Sequence, residues 1–427
     1  MPGNAGLKFC IVSTFYPPYN FGGDGIYAHR LANGLGALGH RVTVLHSPTA
    51  YELAAGHKPA APYQDHPNVT VRPIRTPLGA LGLLAVQQTG RPCLQGPQLR
   101  RALSDEQFDV IHYNNVSLLG GPAVFAYGKA LKLCTLIEHW LVCPMHVLWQ
   151  YNRQVCVKPS CFACTLHGRR PPQPWRYTGL MQRATRHIDA FIGPSEFTIQ
   201  MHRQRGLHGT MIKLPLFDSS QRAAQVQTGT NAQPAARPYF LFVGRLEKIK
   251  GAQTIIPVFR QLPSVDLIIA GDGTYEPQLR QLAQGAANIR FVGRAGGPAL
   301  AGLYRGALAT IVPSLCYETF GIIVAESFAQ STPVIVRGHS SLREFIDRHG
   351  GGIALQDDTQ LRQAVLTMLN DLSLRDRLGQ QGYGAYQEHY AEQAFMRNYM
   401  RTVKQLLSVK GDSRLQIEDC RAAGSCR

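Results

Sequence analysis

The chain has 427 residues, of which 44% are hydrophobic and 17% charged. This length exceeds the size at which one core stops growing, so two packed domains are expected and general disorder is excluded. Its 44 Lys and Arg against 27 Asp and Glu give a formal net charge of +17, which calls for anionic partners. There is no extended basic block and no zinc-finger or RNA-recognition pattern, so nucleic acid is not expected, and a nucleotide diphosphate or an anionic membrane surface is favoured.

Residues Met1 to Tyr19 show no secretion signal, and the longest apolar stretch, Leu78 to Val86, is far shorter than the roughly 20 residues that span a bilayer. A cytoplasmic chain is expected, soluble or peripheral on the inner face of the membrane. Lys8 to Ser13 reads as a strand. Gly25 to Leu38 reads as a helix with Tyr27, Leu31, Leu35 and Leu38 on one face and Gly39 as its stop, and Arg41 to His46 as the next strand. Gly34, Gly36 and Gly39 match a dinucleotide-binding spacing, but they lie at a helix end and not between strand and helix, so they are not that motif. Further strands are expected at Val69 to Ile74, Asp109 to Tyr113, Leu133 to Ile137 and Asp189 to Gly193, a βαβ rhythm that favours a parallel sheet covered by helices.

Asp218 to Pro238 is rich in Ser, Gln, Ala, Thr, Gly and Pro, and residues 218–238 are read as an exposed linker between a first domain over 1–217 and a second over 239–385. The second is expected to place strands at Tyr239 to Val243, Val265 to Ala270, Ile289 to Val292, Thr310 to Pro313 and Pro333 to Val336. The architecture is α/β with two similar halves. Residues 386–407 are expected to form a helix packing back on the first domain, and 408–427, which lack periodicity, a flexible tail.

Two constellations carry chemistry. Arg245 and Lys250 follow the first strand of the second domain, at the sheet edge where such folds bind ligands, and would neutralise a diphosphate leaving group. Glu318 and Glu326 stand eight residues apart around a predicted helix from Gly321 to Gln330. That separation, about 12 Å if fully helical, is too long for two carboxylates working on one bond. It suits two points on an extended nucleotide sugar, Glu326 accepting from ribose hydroxyls and Glu318 from sugar hydroxyls. Gly321 lets the backbone approach closely, and the N–H groups of the first turn, from Phe320, Gly321 and Ile322, point at phosphate.

Gly244-Arg245 with Lys250-Gly251, then Ala270-Gly271-Asp272-Gly273, then the Glu318 to Glu326 segment, resemble retaining family 4 glycosyltransferases. The resemblance implies a GT-B fold of two facing Rossmann-like domains, a nucleotide diphosphate sugar donor and no catalytic metal. By the same resemblance Arg245 and Lys250 bind the donor diphosphate, and Val292, within Arg290 to Gly293, meets the base through backbone. Gly22 and Gly23 approach the donor phosphate. His139 contacts the donor sugar near the reacting carbon and is, with Glu318, the catalytic candidate, although Trp140 stands where the family usually has an acidic residue. Ser195, after a first-domain strand, is read as a helix N-cap.

Directly after His139 lies an insertion, 143–164, with Cys143, Cys156, Cys161 and Cys164. Four thiolates with a C-x2-C pair suit a structural zinc, or an iron-sulfur cluster on the same ligands; His146 or His167 could replace one thiolate, and four reduced thiols are the alternative. The function expected is sugar transfer to an acceptor hydroxyl in cell-surface polysaccharide or glycolipid assembly, the acceptor being lipid-linked or a small molecule. The alternatives are a nucleotide-sugar epimerase of the same architecture, and a non-enzymatic basic protein that binds nucleotide or membrane.

Overall fold

The structure is a computed structural model that describes residues 6–59, 63–218, 237–357 and 359–422, with side chains described through residue 411. Most of the linker read at 218–238 lies outside the described residues. The first domain carries β1 (Lys8–Ser13), β2 (Arg41–His46), β3 (Val69–Pro73), β4 (Val110–Asn115), β5 (Leu131–Thr135), the short pair β6 (Trp149–Gln150) and β7 (Gln154–Val155), then β8 (Ala190–Gly193) and β9 (Met211–Lys213). Seven of these form one parallel sheet in the order β3-β2-β1-β4-β5-β8-β9, and β6 and β7 form a separate antiparallel hairpin. The second domain carries β10 (Tyr239–Val243), β11 (Asp266–Ala270), β12 (Ile289–Gly293), β13 (Thr310–Val312), β14 (Val334–Arg337) and β15 (Gly352–Leu355), ordered β12-β11-β10-β13-β14-β15.

Why these runs are strands follows from their burial on both faces. In β1, Phe9 and Ile11 enter one core while Cys10 and Val12 enter another. In β10, Phe240 and Phe242 face one core, Tyr239 and Leu241 the other. A parallel sheet covered by helices on both sides demands such continuous apolar runs.

The C-terminal helix Glu392–Ala422 returns to the first domain. Phe395, Tyr399 and Val403, spaced by one turn, are buried in a core shared with Phe9, Tyr27 and Leu31 of the first domain and with Phe320, Val324 and Phe328 of the second. Tyr399 Oη lies 2.8 Å from His112 Nδ1 in β4. At Gly34 the two helices approach closely: a Cβ there would meet Met396 Cε at 2.1 Å, so the methionine would have to move aside.

Several sequence expectations shift. The strand expected at Leu133 to Ile137 occupies Leu131–Thr135; Lys132 is buried at its start, with Nζ donating to the Phe125 carbonyl at 2.7 Å, and a buried lysine is not readable from pattern alone. Leu38 lies past the helix end and is exposed. β9 and β15 are too short to show an alternation. The tail expected from residue 408 continues as helix through Ala422, and Lys410 Nζ bonds the Ala130 carbonyl at 2.9 Å and Asp189 Oδ2 at 2.6 Å.

Candidate active site

Beyond the end of β10 the chain turns through Gly244 to Arg245 and into a short 3-10 turn, Lys248–Lys250. Gly251 follows at φ +79°, and a Cβ there would lie 2.0 Å from the Pro313 carbonyl, so only glycine lets this loop lie against the end of β13. The close approach delivers Lys250 Nζ to 2.6 Å from Glu318 Oε1, which also accepts from Ser314 Oγ at 2.6 Å. Burial would raise the Glu318 carboxyl, but the Lys250 charge and the two hydrogen bonds outweigh it, with help from Arg245, and hold it below the usual carboxylate range. Burial likewise opposes the Lys250 charge, yet the Glu318 carboxylate carries its pKa above the ordinary value. Arg245 stays exposed and, among the described residues, makes no ion pair. One cation is thus fixed by a carboxylate, and the other is left to meet an anion.

Gly321, at φ +88°, opens the helix Ile322–Phe328, and a Cβ on it would strike Leu342 Cδ2 at 2.3 Å. Phe320 packs in the shared core. Glu326 sits one turn into this helix. Its Oε2 accepts from Tyr304 Oη at 2.9 Å, on the helix Gly297–Gly306, and its Oε1 lies 3.5 Å from Nη2 of Arg30 in the first domain. Arg30 Nη2 is also 3.4 Å from Asp218 Oδ1. Burial raises the Glu326 carboxyl and Asp218 adds to it, against the pull of Arg30 and Tyr304. Val292 is exposed on β12, beside an Arg290 to Asp266 ion pair of 3.0 Å. The structure therefore brings Arg245, Lys250 and Glu318 into one cluster. It gives Glu326 separate partners, Arg30 and Tyr304, which sequence reasoning missed because they come from distant helices.

From the first domain, Gly22 and Gly23 begin the helix Gly23–Ala37, and a Cβ on either would meet nothing within 4 Å, so both edge open space. The next residue, Asp24, belongs to a polar cluster. Asn115 Nδ2 donates to Asp24 Oδ2 at 3.2 Å and to Glu138 Oε1 at 3.0 Å, and His146 Nδ1 is 2.9 Å from Glu138 Oε2. Burial, then the Glu138 charge, pushes the Asp24 carboxyl up to about 6. Sequence reading passed over Asp24, whose only signal was adjacency to Gly23, and read Glu138 only as the neighbour of His139.

His139, the expected catalytic candidate, lies at the turn beside this cluster. It is 1% exposed, with both ring nitrogens unpartnered and its ring stacked 5.2 Å from His202. The turn that bonds the His139 backbone to His146 and Cys143 gives Glu138 to the polar cluster and buries its neighbour. Burial, then the neighbouring His202 and Arg205, depresses the imidazole well below its usual range, which keeps the ring neutral.

Ser195 is a cap and more. Its Oγ accepts from Thr198 N at 3.1 Å, at the start of the helix Glu196–Gln204, and donates to the Thr319 carbonyl at 2.8 Å across the domain boundary. Thr198 Oγ1 donates to the same carbonyl at 2.7 Å, and Thr319 Oγ1 donates to the Ile137 carbonyl at 2.9 Å. The segment carrying Glu318 is thereby clamped beside Glu138.

The four cysteines of the insertion are near enough to influence one another, but Cys143 and Cys156 pack with Leu148 in a small apolar core. Burial raises the thiols of Cys143, Cys156 and Cys161. Among the described residues no three His, Cys, Asp or Glu side chains are arranged to hold a metal ion. The set as placed, Cys164 included, does not fit the zinc or iron-sulfur site that the spacing led us to expect.

Two parallel α/β sheets, a cationic pair at one sheet edge and glycines at the opposing helix start define a GT-B glycosyltransferase. The chain belongs to the group 1, family 4 glycosyltransferases: "Glycosyl transferases group 1" matches residues 227–385 and "Glycosyl transferase 4-like domain" residues 22–213. It is similar to the lipopolysaccharide core biosynthesis glycosyltransferase LpsE of Rhizobium meliloti, 28% identical over 192 residues, which are 43% of this chain and 55% of that one. It is also similar to the glycogen synthase of Mycobacterium tuberculosis H37Rv, 25% identical over 401 residues, 87% of this chain and 88% of that one. Thus the chain spans about half of the first relative and most of the second. In fold it resembles sucrose-phosphate synthase from Thermosynechococcus elongatus, with TM-score 0.71 and 20% identity over 94% of this chain and 100% of that one. Anabaena Alr3699/HepE in complex with UDP-glucose matches at TM-score 0.64 and 16% identity, over 93% of this chain and 100% of that one.

Proposed function

We propose that this chain moves a sugar from a nucleotide diphosphate sugar onto an acceptor hydroxyl with retention of anomeric configuration and without a catalytic divalent metal. The observation that carries this reading is the cluster of exposed Arg245 beside the Lys250 to Glu318 pair, on the loop after β10. As the bond between the anomeric carbon and the diphosphate breaks, negative charge grows on the leaving group. Arg245 supplies a planar fork of donors to it, and Lys250, held in place by Glu318, supplies a compact charge. Ile322 at the helix start adds backbone N–H donors. Glu326 takes the ribose, with Tyr304 and Arg30 orienting its carboxylate.

The polar cluster of Asp24, Asn115 and Glu138 lines the acceptor side and orders hydroxyl groups there. Because Thr319 is tied to Ser195 and Ile137, the two halves are held at a fixed spacing, and positioning supplies much of the rate. The name of LpsE and the basic first domain favour a lipid-linked or small-molecule acceptor in cell-surface polysaccharide or glycolipid assembly.

The test is product analysis with a panel of UDP-, GDP- and ADP-sugars and sugar acceptors, with and without EDTA. Formation of a glycoside of the donor's anomeric configuration, undiminished by EDTA, supports the proposal. A new sugar nucleotide formed without acceptor would make the protein an epimerase. Activity lost to EDTA and restored by magnesium or manganese would refute metal independence.

A further inference from the structure

We infer that the first domain docks on an anionic lipid bilayer through a basic and apolar face built from the helix Gly79–Thr89 and the segment around the helix Cys161–His167. The helix Gly79–Thr89 buries Gly82, Leu83 and Val86 and turns its other side outward. There Leu81 is 68% and Leu84 43% exposed, and Leu78, which precedes the helix, is 72% exposed. Leu81 and Leu84, three residues apart, share one helix side, and Leu78 stands just before the helix start. A single exposed leucine is ordinary, but a row of them backed by a second apolar group is not.

The second group is Val157, Phe162 and Leu166; Phe162 and Leu166, one turn apart on the helix Cys161–His167, are 57% and 54% exposed. The two regions are tied together. Gln87 Nε2 donates to the Pro171 carbonyl at 2.8 Å, Gln88 Nε2 to the Pro172 carbonyl at 2.7 Å, and Trp175 Nε1 to the Gln87 carbonyl at 2.9 Å. Neither residues 72–104 nor residues 139–188 up to Ile188 contain an Asp before Asp105 and Asp189, or any Glu. Arg91, Lys158, Arg169 and Arg170 are exposed and, among the described residues, form no ion pair.

The chemistry selects the occupant. Lipid phosphates match the cations and the acyl boundary takes the leucines and Phe162, as on interfacial helices. A second copy of this chain would set like charge against like charge. RNA would satisfy the cations but leave the leucine row in water. No helix among the described residues is long and apolar enough to cross a membrane, so the contact is peripheral, and cations of this kind near an anionic surface each strengthen binding roughly fivefold.

The experiment is flotation of the full chain with phosphatidylcholine vesicles, with and without phosphatidylglycerol. We expect binding only to the phosphatidylglycerol vesicles, released by salt. L81E/L84E and R169E/R170E should each weaken it by about tenfold or more while keeping the wild-type melting temperature. Absence of binding by the folded wild-type chain, or binding unchanged in both variants, overturns the inference, as does RNA binding or dimer formation that these variants abolish while vesicle binding persists. Nucleoside diphosphate binding by the same variants is measured alongside, so that failure of the docking face and failure of the transferase reading are told apart.

Discussion

Lys250 Nζ and Glu318 Oε1 stand 2.6 Å apart, so the lysine offered to the donor diphosphate is held by the carboxylate that sequence reasoning assigned to the sugar. The pair links the loop after β10 to the segment after β13, and each side chain is partly open to solvent, at 24% and 15%. Replacing Lys250 by Ala removes charge from the leaving group and strands the Glu318 carboxylate. We expect kcat to fall by roughly 10²- to 10³-fold and stability by about 2 kcal/mol, less than for a fully buried pair. Initial rates and denaturant unfolding of K250A check both, and Glu318→Gln, which keeps the shape, should cost less stability.

Glu326, held by Tyr304 and Arg30, is expected to read the ribose. Wild-type protein should discriminate against a 2′-deoxyribose donor by about 10- to 100-fold, the scale of a hydrogen bond to a charged group. Glu326→Gln should lose most of that discrimination, with the change in KM larger than in kcat. Equal treatment of both donors by the wild type would remove Glu326 from the ribose.

Acid should weaken the fold before it denatures it. Burial holds His46 at about 4, His112 at about 3 and His202 at about 4, against 6.5 for the free side chain. Below pH 6.5 the unfolded chain therefore binds protons that the folded chain refuses. The stability these groups contribute is complete above pH 6.5 and is lost as pH falls toward about 4 and about 3, at up to about 1.4 kcal/mol per pH unit for each histidine. Asp24, raised to about 6, opposes this over part of the window, since its folded carboxyl takes a proton earlier than the unfolded one. Three histidines outweigh Asp24 and Glu326, whose carboxyl burial also raises, so urea midpoints measured across this range should fall on acidification.

Gly251 tests the close approach that places Lys250. An alanine would adopt φ +79° at a cost and put its Cβ 2.0 Å from the Pro313 carbonyl. Gly251→Ala should therefore destabilise the protein by about 2 kcal/mol or more and lower donor affinity together, read by thermal unfolding and by titration with nucleoside diphosphate. Gly206→Ala, also at positive φ but with nothing within 4 Å of its Cβ, should leave donor affinity unchanged.

Much of this was legible in the sequence because buried parallel strands leave uninterrupted apolar runs. The expected strand at Tyr239 to Val243 is the observed one, and Arg245 and Lys250 follow it at the ligand-bearing edge. What pattern cannot show is which distant side chain answers a given charge. Arg30 meets Glu326 across the domain boundary, and Asp24 and Glu138 meet through Asn115 in a third segment. Of the adjacent Glu138 and His139, one joins the Asp24 cluster through Asn115 and the other stacks on His202, and periodicity over two residues does not say which. The cysteine spacing fits a metal, but spacing does not show where each thiol points, and Cys143 and Cys156 pack with Leu148 in a small apolar core.

The cationic cluster of Arg245 and Lys250 is expected to hold a nucleoside diphosphate. Isothermal titration of wild type and R245A/K250A with UDP, GDP and ADP measures this directly. At least one of the three should bind the wild type and bind the double variant at least about 100-fold more weakly. Equal affinity of the folded double variant for that nucleotide would contradict the assignment.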